Sequence, residues 1–374
     1  MSIFLGYNGV METLISALVF LAILSVVVLI HELGHLMWAK KFGVFVEEFG
    51  FGFPPRVMKL FKKGETIYSL NLLPIGGFVK LYGEDREERT GLPDNRAFWS
   101  KSILQRLMIL VGGVLMNFLL GVALFAGVYS YMGIPTETRQ VGIDRVESGS
   151  PAEKAGVLAG DVITELSAGG ESLAPTDNAN FRKFLYRHQG EEIELRLKRG
   201  GEEVSAEASL TKDESGENWV LGVALAPDMV MKKYPLWQAP IMGAWVGLKE
   251  AVLWGYTIVS QLTQTLVQVI LLRKIPEGLA GPVGIYQITD QVRKTGLLPT
   301  LHFAGVLSIN LAILNILPIP AMDGGRVVFL LLEKLRGKKV KDSIEYWVNM
   351  GGFVVLIGLM VLISINDVMR IVAK

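Results

Sequence analysis

The chain has 374 residues, 51% of them hydrophobic, and a formal net charge of +1. So even a balance leaves no basic stripe to follow phosphates, which excludes a nucleic-acid binder. There is no cysteine, so any part outside the cytoplasm folds without disulfides. The apolar residues fall in long uncharged runs around a middle of ordinary soluble composition, the pattern of a polytopic membrane protein with a folded domain.

The first apolar run, Ile15 to Ile30, leads directly into His31-Glu-Leu-Gly-His35. No Lys or Arg precedes Lys40 and no small-residue cleavage site follows, so the run reads as a spanning helix and not as a cleaved signal peptide. Histidines four apart share one helix face and can hold one Zn2+. Glu32, next to the first, can reach a metal-bound water but is poorly placed as a ligand, which is the mechanics of HExxH. A polar side chain deep in a spanning helix costs on the order of 2–3 kcal/mol, so one found there usually has a function.

Tyr68 to Glu84, YSLNLLPIGGFVKLYGE, has strand-forming residues around Pro74 and Gly76-Gly77. It reads as a hairpin-like element, either an ordinary surface hairpin or one apolar enough to dip into the membrane face. Ile103 to Tyr131 is a second span, with Gly112, Gly113, Gly121 and Gly127 suited to close helix packing.

Thr138 to Pro227 is soluble and strand-rich. Ser150 caps a short helix, with Pro151 in its first turn and Glu153 completing a capping box. Gly156 ends that helix, and Gly160-Asp161 turns into a strand at Val162–Leu166. A second helix fits Asn178 to Arg187. Ile193 to Lys198 alternates apolar and charged, and Gly200-Gly201 turns it toward Val204–Leu210.

Beyond this domain, Ala251 to Leu272 carries Gln261, Gln264 and Gln268 at helical spacing, which predicts an amphipathic, interfacial helix. Leu301 to Ile319, with Asn310 and Asn315, is a third span. Phe353 to Ile365, ending near Asp367, is a fourth.

Lys40, Lys41, Arg56, Lys59, Lys62, Lys63 and Lys101 follow the first span. Arg326, Lys334, Arg336, Lys338, Lys339 and Lys341 follow the third. Both segments are therefore cytoplasmic, and the N-terminus, middle domain and C-terminus lie outside.

A catalytic zinc usually has three protein ligands. Glu12, Asp367 and His302 fall at outer helix ends in this topology, His302 as a lone interfacial histidine, and His188 falls in the outer domain. Asp323, within NILPIPAMDGG, is at the cytoplasmic end of the third span. There Pro318 and Pro320 break the helix and Gly324-Gly325 permit close backbone approach.

HELGH on a first span, NILPIPAMDGG on a later one and GSPAEKAG…GD between them resemble the site-2 protease family of intramembrane zinc metalloproteases. The bacterial branch it resembles most is that of the regulator of sigma-E protease. The similarity runs over nearly the whole chain. GSPAEKAG…GD resembles bacterial PDZ domains, which implies a groove that takes an extended peptide or C-terminus as an added strand. GGFVKLYGE, Gly76 to Glu84, looks like the family's membrane-associated β element, which implies substrate handling by Gly76, Gly77, Phe78 and Val79. GGVLMN, Gly112 to Asn117, and AGPVGI, Ala280 to Ile285, resemble further family segments. The resemblance implies His31, His35 and Asp323 as zinc ligands and Glu32 as general base. It implies substrate handling by Asn315 and Asn117, where interhelical hydrogen bonds are the alternative. Departures are a single PDZ-like unit where well-known members carry two, AMDGG where leucine more often precedes the aspartate, and GGVLMN without a proline common there.

The expected fold is a polytopic α-helical membrane protein of about four transmembrane helices, with a membrane-associated β element and one extracytoplasmic PDZ-like domain. In residue numbers, the first helix with HELGH takes 1–37 and the cytoplasmic, membrane-associated β region 38–101. The second helix is 102–132, the PDZ-like domain 138–227 and an amphipathic interfacial segment 228–297. The third helix with its motif is 298–325, a cytoplasmic loop 326–349, and the fourth helix with the C-terminus 350–374. The expected activity is zinc-dependent hydrolysis of peptide bonds in or near the transmembrane segment of single-pass proteins already trimmed by another protease. Anti-sigma-factor-like proteins and remnant signal peptides are the substrates the resemblance implies. The expected location is the bacterial cytoplasmic membrane, and the lipid bilayer is itself a partner. A non-proteolytic, membrane-anchored PDZ receptor with a structural or inactive zinc site is the rival reading, and intact Glu32 argues against it. A transporter would show repeated halves, which this sequence lacks.

Overall fold

A computed structural model describes residues 2–84, 93–212, 219–272 and 281–372. Helix α1 (Ser2–Lys41) runs unbroken through HELGH and ends on Lys40 and Lys41, a basic last turn that suits a helix C-terminus. Strands β1 (Val46–Lys63) and β2 (Thr66–Leu81) follow. The expected hairpin within Tyr68–Glu84 is part of something larger. Val46–Phe51 lies opposite Leu81–Gly77, Glu48–Phe51 also lies beside Ile67–Leu70, and Arg56–Lys63 lies opposite Asn71–Thr66. Each strand therefore doubles back. The result is a four-segment sheet in the order 77–81, 46–51, 66–71, 56–63. The bends need positive φ, supplied by Gly52 (78°) and Gly76 (86°). Leu36, Ala39, Val44, Val46, Leu81 and Ile109 form the buried cluster that fastens this sheet to α1 and to the next helix, α2 (Ile103–Met132).

Residues Met132–Pro235 form a compact unit of their own. Its elements are β3 (Ile134–Val146), α3 (Pro151–Lys154), β4 (Val162–Ala168), β5 (Glu171–Leu173), α4 (Asn178–Arg187), β6 (Glu192–Arg199), β7 (Glu202–Ser209), β8 (Thr211–Lys212), β9 (Trp219–Val220) and β10 (Val223–Lys232). The sheet runs β10-β3-β4-β6-β7 with β5 on β4, and α4 closes one face, a PDZ-like arrangement. The unit is wider than 138–227 because β3 and β10 stay paired out to Ile134 and Lys232. Phe181, Phe184, Ile163, Leu166, Ile193, Leu195 and Leu197 fill the core. The predicted cap is present: the Ser150 hydroxyl accepts from the Glu153 N–H at 3.2 Å. Glu153 reaches back to the Gly149 N–H at 2.6 Å, one residue earlier than a capping box requires. Asp161 of the Gly-Asp turn accepts from Arg199 Nε and Nη2, both at 2.7 Å, and from the Leu158 N–H at 2.9 Å.

The chain then forms α5 (Ala239–Leu272), α6 (Pro282–Thr295), α7 (Leu297–Ile316), α8 (Asp323–Arg336) and α9 (Asp342–Val372). Among the described residues, four helices are long and apolar enough to cross a membrane: Met11–Lys41, Ile103–Met132, Leu297–Ile316 and Ser343–Arg370. The protein is thus a polytopic helical membrane protein with the expected number of spans. The segment expected to lie along the interface differs in form. The first half of α5 packs on two spans, with Phe125 of α2, Ala251 of α5 and Ile309 of α7 fully enclosed together. Gly243 and Gly247 make this possible, since a Cβ at either would stand 2.5–2.9 Å from α2 atoms. α6 is a separate helix whose start is held by Asp367 of α9, which accepts from the Gly281 and Gly284 N–H groups at 2.9 Å. Ala280 of the AGPVGI segment lies outside the described residues.

The Arg199 guanidinium, bonded to a side chain only 1% exposed, holds the Asp161 carboxyl below the usual carboxylate range. A lowered folded pKa stabilises fully above the unfolded value near 3.9 and loses that contribution as pH falls through the folded value. Asp161→Asn should therefore cost about 2 kcal/mol at neutral pH, read as faster hydrogen exchange in β4 and β6, and the difference from wild type should vanish in acid.

Candidate active site

One helix face brings His31 and His35 together because they are a turn apart on α1. Their Nε2 atoms stand 3.1 Å from each other. Asp323 Oδ2 is 3.0 Å from His31 Nε2 and 3.3 Å from His35 Nε2. His35 Nδ1 is 2.8 Å from the Ile109 carbonyl, which accepts its proton and leaves Nε2 with a free lone pair. Both histidines are buried, and among the described residues Asp323 Oδ2 is a buried oxygen with no hydrogen-bond donor.

The geometry fits a metal ion. Three donors in a tetrahedral zinc shell, each roughly 2.0–2.1 Å from the ion, stand about 3.3 Å apart, close to the three separations here. Among the described residues, this trio is the group of His, Asp and Glu side chains so arranged. Two imidazoles and one carboxylate, with a fourth position free, are the donor types of a catalytic zinc site.

Local sequence explains how Asp323 arrives. α7 ends at Ile316. Pro318 and Pro320 prevent its continuation, and Ala321 takes φ +70°. Ala321 N–H is anchored by Asn349 Oδ1 of α9 at 3.1 Å. The chain then re-enters a helix whose first residue is Asp323. Gly324 and Gly325 lie against carbonyls of the preceding turn: a Cβ would stand 2.1 Å from Leu317 O at the first and 2.5 Å from Ile319 O at the second.

Glycines also shape the histidine side. A Cβ on Gly34 would stand 2.2 Å from Gly112 O, so α1 and α2 touch backbone to backbone. A Cβ on Gly113 would stand 2.5 Å from His35 Nε2 and 2.7 Å from His31 Cε1. Gly113 is thus the floor beneath both imidazoles. In the sequence it stood out as a small residue for packing and as part of GGVLMN, with no pointer to the imidazoles.

The remaining predicted residues fall as follows. Asn315 Nδ2 lies 3.3 Å from His31 Nε2, inside the site. Asn117 is completely buried on α2, one turn beyond Gly113. Neither polar atom of its side chain has a partner among the described residues. The interhelical bond at that point runs from Ser308 Oγ to the main-chain carbonyl of Asn117, at 2.8 Å. Gly77 lies beside Glu32: a Cβ there would be 3.7 Å from Glu32 Cγ and 3.3 Å from Leu29 Cδ2. Gly76, Phe78 and Val79 belong to the same segment, at the margin of the four-segment sheet. Phe78 covers Gly50, and Val79 packs into the cluster under α1.

The discarded candidates have other partners. Asp367 caps α6, and Glu12 pairs with Arg293. His188 lies between Glu171 and Glu191. His302 is not a lone histidine: its Nε2 is 2.6 Å from Glu250 Oε1 of α5, and its ring packs on Phe125. Nothing in the sequence near His302 signals this, because the partner is on another helix.

Comparison with known proteins follows the same lines. A model described as peptidase family M50 matches residues 19–359, and the chain belongs to that family. It is similar to a putative zinc metalloprotease of Clostridium acetobutylicum, 33% identical over 92% of this chain and 94% of that one. It is also similar to the zinc metalloprotease RasP of Oceanobacillus iheyensis, 30% identical over 94% and 98%. A third relative, the regulator of sigma-W protease RasP of Bacillus subtilis, is 29% identical over 95% and 99%. Among solved structures, the PDZ domain of an SdrC-like protein from Listeria monocytogenes is 26% identical, covering 25% of this chain and 88% of that one, with a TM-score of 0.20. The protein is therefore a membrane metalloendopeptidase.

Gly113→Ala should weaken metal binding about tenfold or more, the range typical when the groups that orient ligands are disturbed. Gly127→Ala, on the same helix but with open space around it, should leave metal content unchanged. Metal analysis of the two purified variants checks this.

Proposed function

We propose that this chain is an intramembrane zinc protease of the site-2 type that cuts single-pass membrane proteins in or near their transmembrane segments. The observation that carries the reading is the trio of His31 and His35, on a helix apolar enough to cross a membrane, with Asp323, at the start of α8 just past the span Leu297–Ile316, and Glu32 beside them. His31, His35 and Asp323 hold the zinc. The ion, when bound, supplies Lewis acidity toward the scissile carbonyl and the attacking water. Glu32 takes the proton of that water on its carboxylate and delivers it to the leaving amine. Asn315, within reach of the His31 ring, orients the substrate carbonyl, and the unpartnered carboxamide of Asn117 offers a donor and an acceptor nearby.

A helix in lipid hides its amides behind internal hydrogen bonds, so a substrate has to unwind before it can be cut. The segment Gly76–Val79 runs beside Glu32 and takes the unwound stretch as an added strand, replacing the hydrogen bonds lost on unwinding. The PDZ-like unit lies outside the cytoplasmic membrane by the charge rule. It receives an extended peptide or C-terminus along β10, a sheet edge beside α4. With the residues that follow, it acts as a size filter that admits only substrates whose outer domains another protease has removed.

The test uses a tagged single-pass substrate, trimmed on its outer side, in membranes carrying wild type or Glu32→Gln. Wild type should cleave and the variant should lose at least about a thousandfold of the rate, the combined scale of base and acid roles, while both retain zinc. Absence of cleavage by wild type across a varied set of trimmed substrates, with zinc bound, would favour a PDZ receptor. Deleting 138–227 should admit substrates with longer outer domains. An unchanged length limit, measured by cleavage of a graded series, would remove the filter.

A further inference from the structure

The two sides of the metal site are held very differently. His31 and His35 sit on one unbroken helix, backed by Gly113 and oriented through the Ile109 carbonyl. Asp323 stands at the first turn of a 14-residue helix that follows two prolines and a residue at φ +70°. Gly324 and Gly325 pack the first turn of α8 against the end of α7, which leaves the remaining turns to be held by other contacts. The residues α8 buries are few: Gly324, Gly325 and Leu330.

Polar tethers do the rest. Arg106 of α2 and Glu333 of α8 form a two-pronged pair, Nη1 to Oε2 at 3.0 Å and Nη2 to Oε1 at 2.7 Å. Their side chains are only 7% and 14% exposed. Glu333 is about 15 Å along the helix axis from Asp323, at 1.5 Å per residue. A second pair, Arg326 with Glu84 just past β2, holds α8 near its start. Arg106 is also one turn from Ile109, whose carbonyl orients His35. The same stretch of α2 therefore sets the angle of an imidazole and the far end of the carboxylate's helix. A guanidinium–carboxylate fork fixes orientation as well as distance, which a lysine would not.

We infer that Arg106 and Glu333 are a positioning pair that aims Asp323 at the two histidines, an inference that rests on the zinc reading above. It is tested on the full chain in nanodiscs, with zinc affinity read by chelator competition and thermal unfolding followed on zinc-stripped protein. Glu333→Gln and Arg106→Lys should each weaken zinc binding about tenfold or more. The reversed pair, R106E with E333R, should recover most of it. Glu250→Gln breaks a different, partly buried pair between helices, with His302 at 2.6 Å. It should lower the unfolding temperature and leave zinc affinity within about twofold of wild type, well below the loss expected at a positioning pair. Unchanged zinc affinity in Glu333→Gln and Arg106→Lys, or an equal loss in Glu250→Gln, would overturn the pair's role. A wild-type protein that bound no zinc would remove the zinc reading and this inference with it, whereas normal wild-type binding with unaffected variants would remove this inference alone.

Discussion

His31 Nε2 and Asp323 Oδ2 stand 3.0 Å apart, and that approach joins the first helix of the chain to the last but one. Lipid gives helices no hydrophobic reason to come together, so the approach has to be built from shape and polar pairing. Shape comes from glycine. Gly34 and Gly112 let α1 and α2 meet backbone to backbone, and Gly113 leaves room for two imidazole rings. Gly324 and Gly325 let α8 fold tightly against the end of α7. A methyl group at any of these five positions would occupy space already taken.

Polar pairing keeps the same bundle together at several depths. Asp367 holds the start of α6, Glu250 holds His302, and Arg106 holds Glu333. Charges this sheltered persist only when paired, and each of these pairs links two helices. Asn117 is the contrast: fully buried beside the site, its carboxamide meets no partner among the described residues. A buried amide left unsatisfied has a measurable cost, which the substrate-handling role proposed above would offset when substrate is bound.

Much of this was legible in the sequence wherever the signal is local. The spacing of His31 and His35 fixes a shared face. Asn178–Arg187 and the turn at Gly200-Gly201 follow from caps and alternation, and the structure has them at those residues. The four spans follow from hydropathy. What escaped is what depends on partners far along the chain. The strand Thr66–Leu81 looked like a hairpin because its bend at Gly76 is visible, whereas the insertion of 46–51 between its two halves is not. His302 looked solitary because Glu250 lies on another helix. Ala251–Leu272 looked interfacial from its glutamines, while the packing of the first half of α5 onto α2 and α7 rests on Gly243, Gly247 and Ala251.

The order of the ligands along the chain has a consequence for biosynthesis. Two imidazoles leave the ribosome near the beginning, on α1, but the carboxylate that completes the trio arrives only with α8. The loop carrying it is pinned by Asn349 of α9. A nascent or truncated chain that stops before α8 therefore has the two imidazoles of the trio without its carboxylate. On the proposed zinc reading, proteolytic competence waits for α8 and for the α9 contact that pins the loop before it.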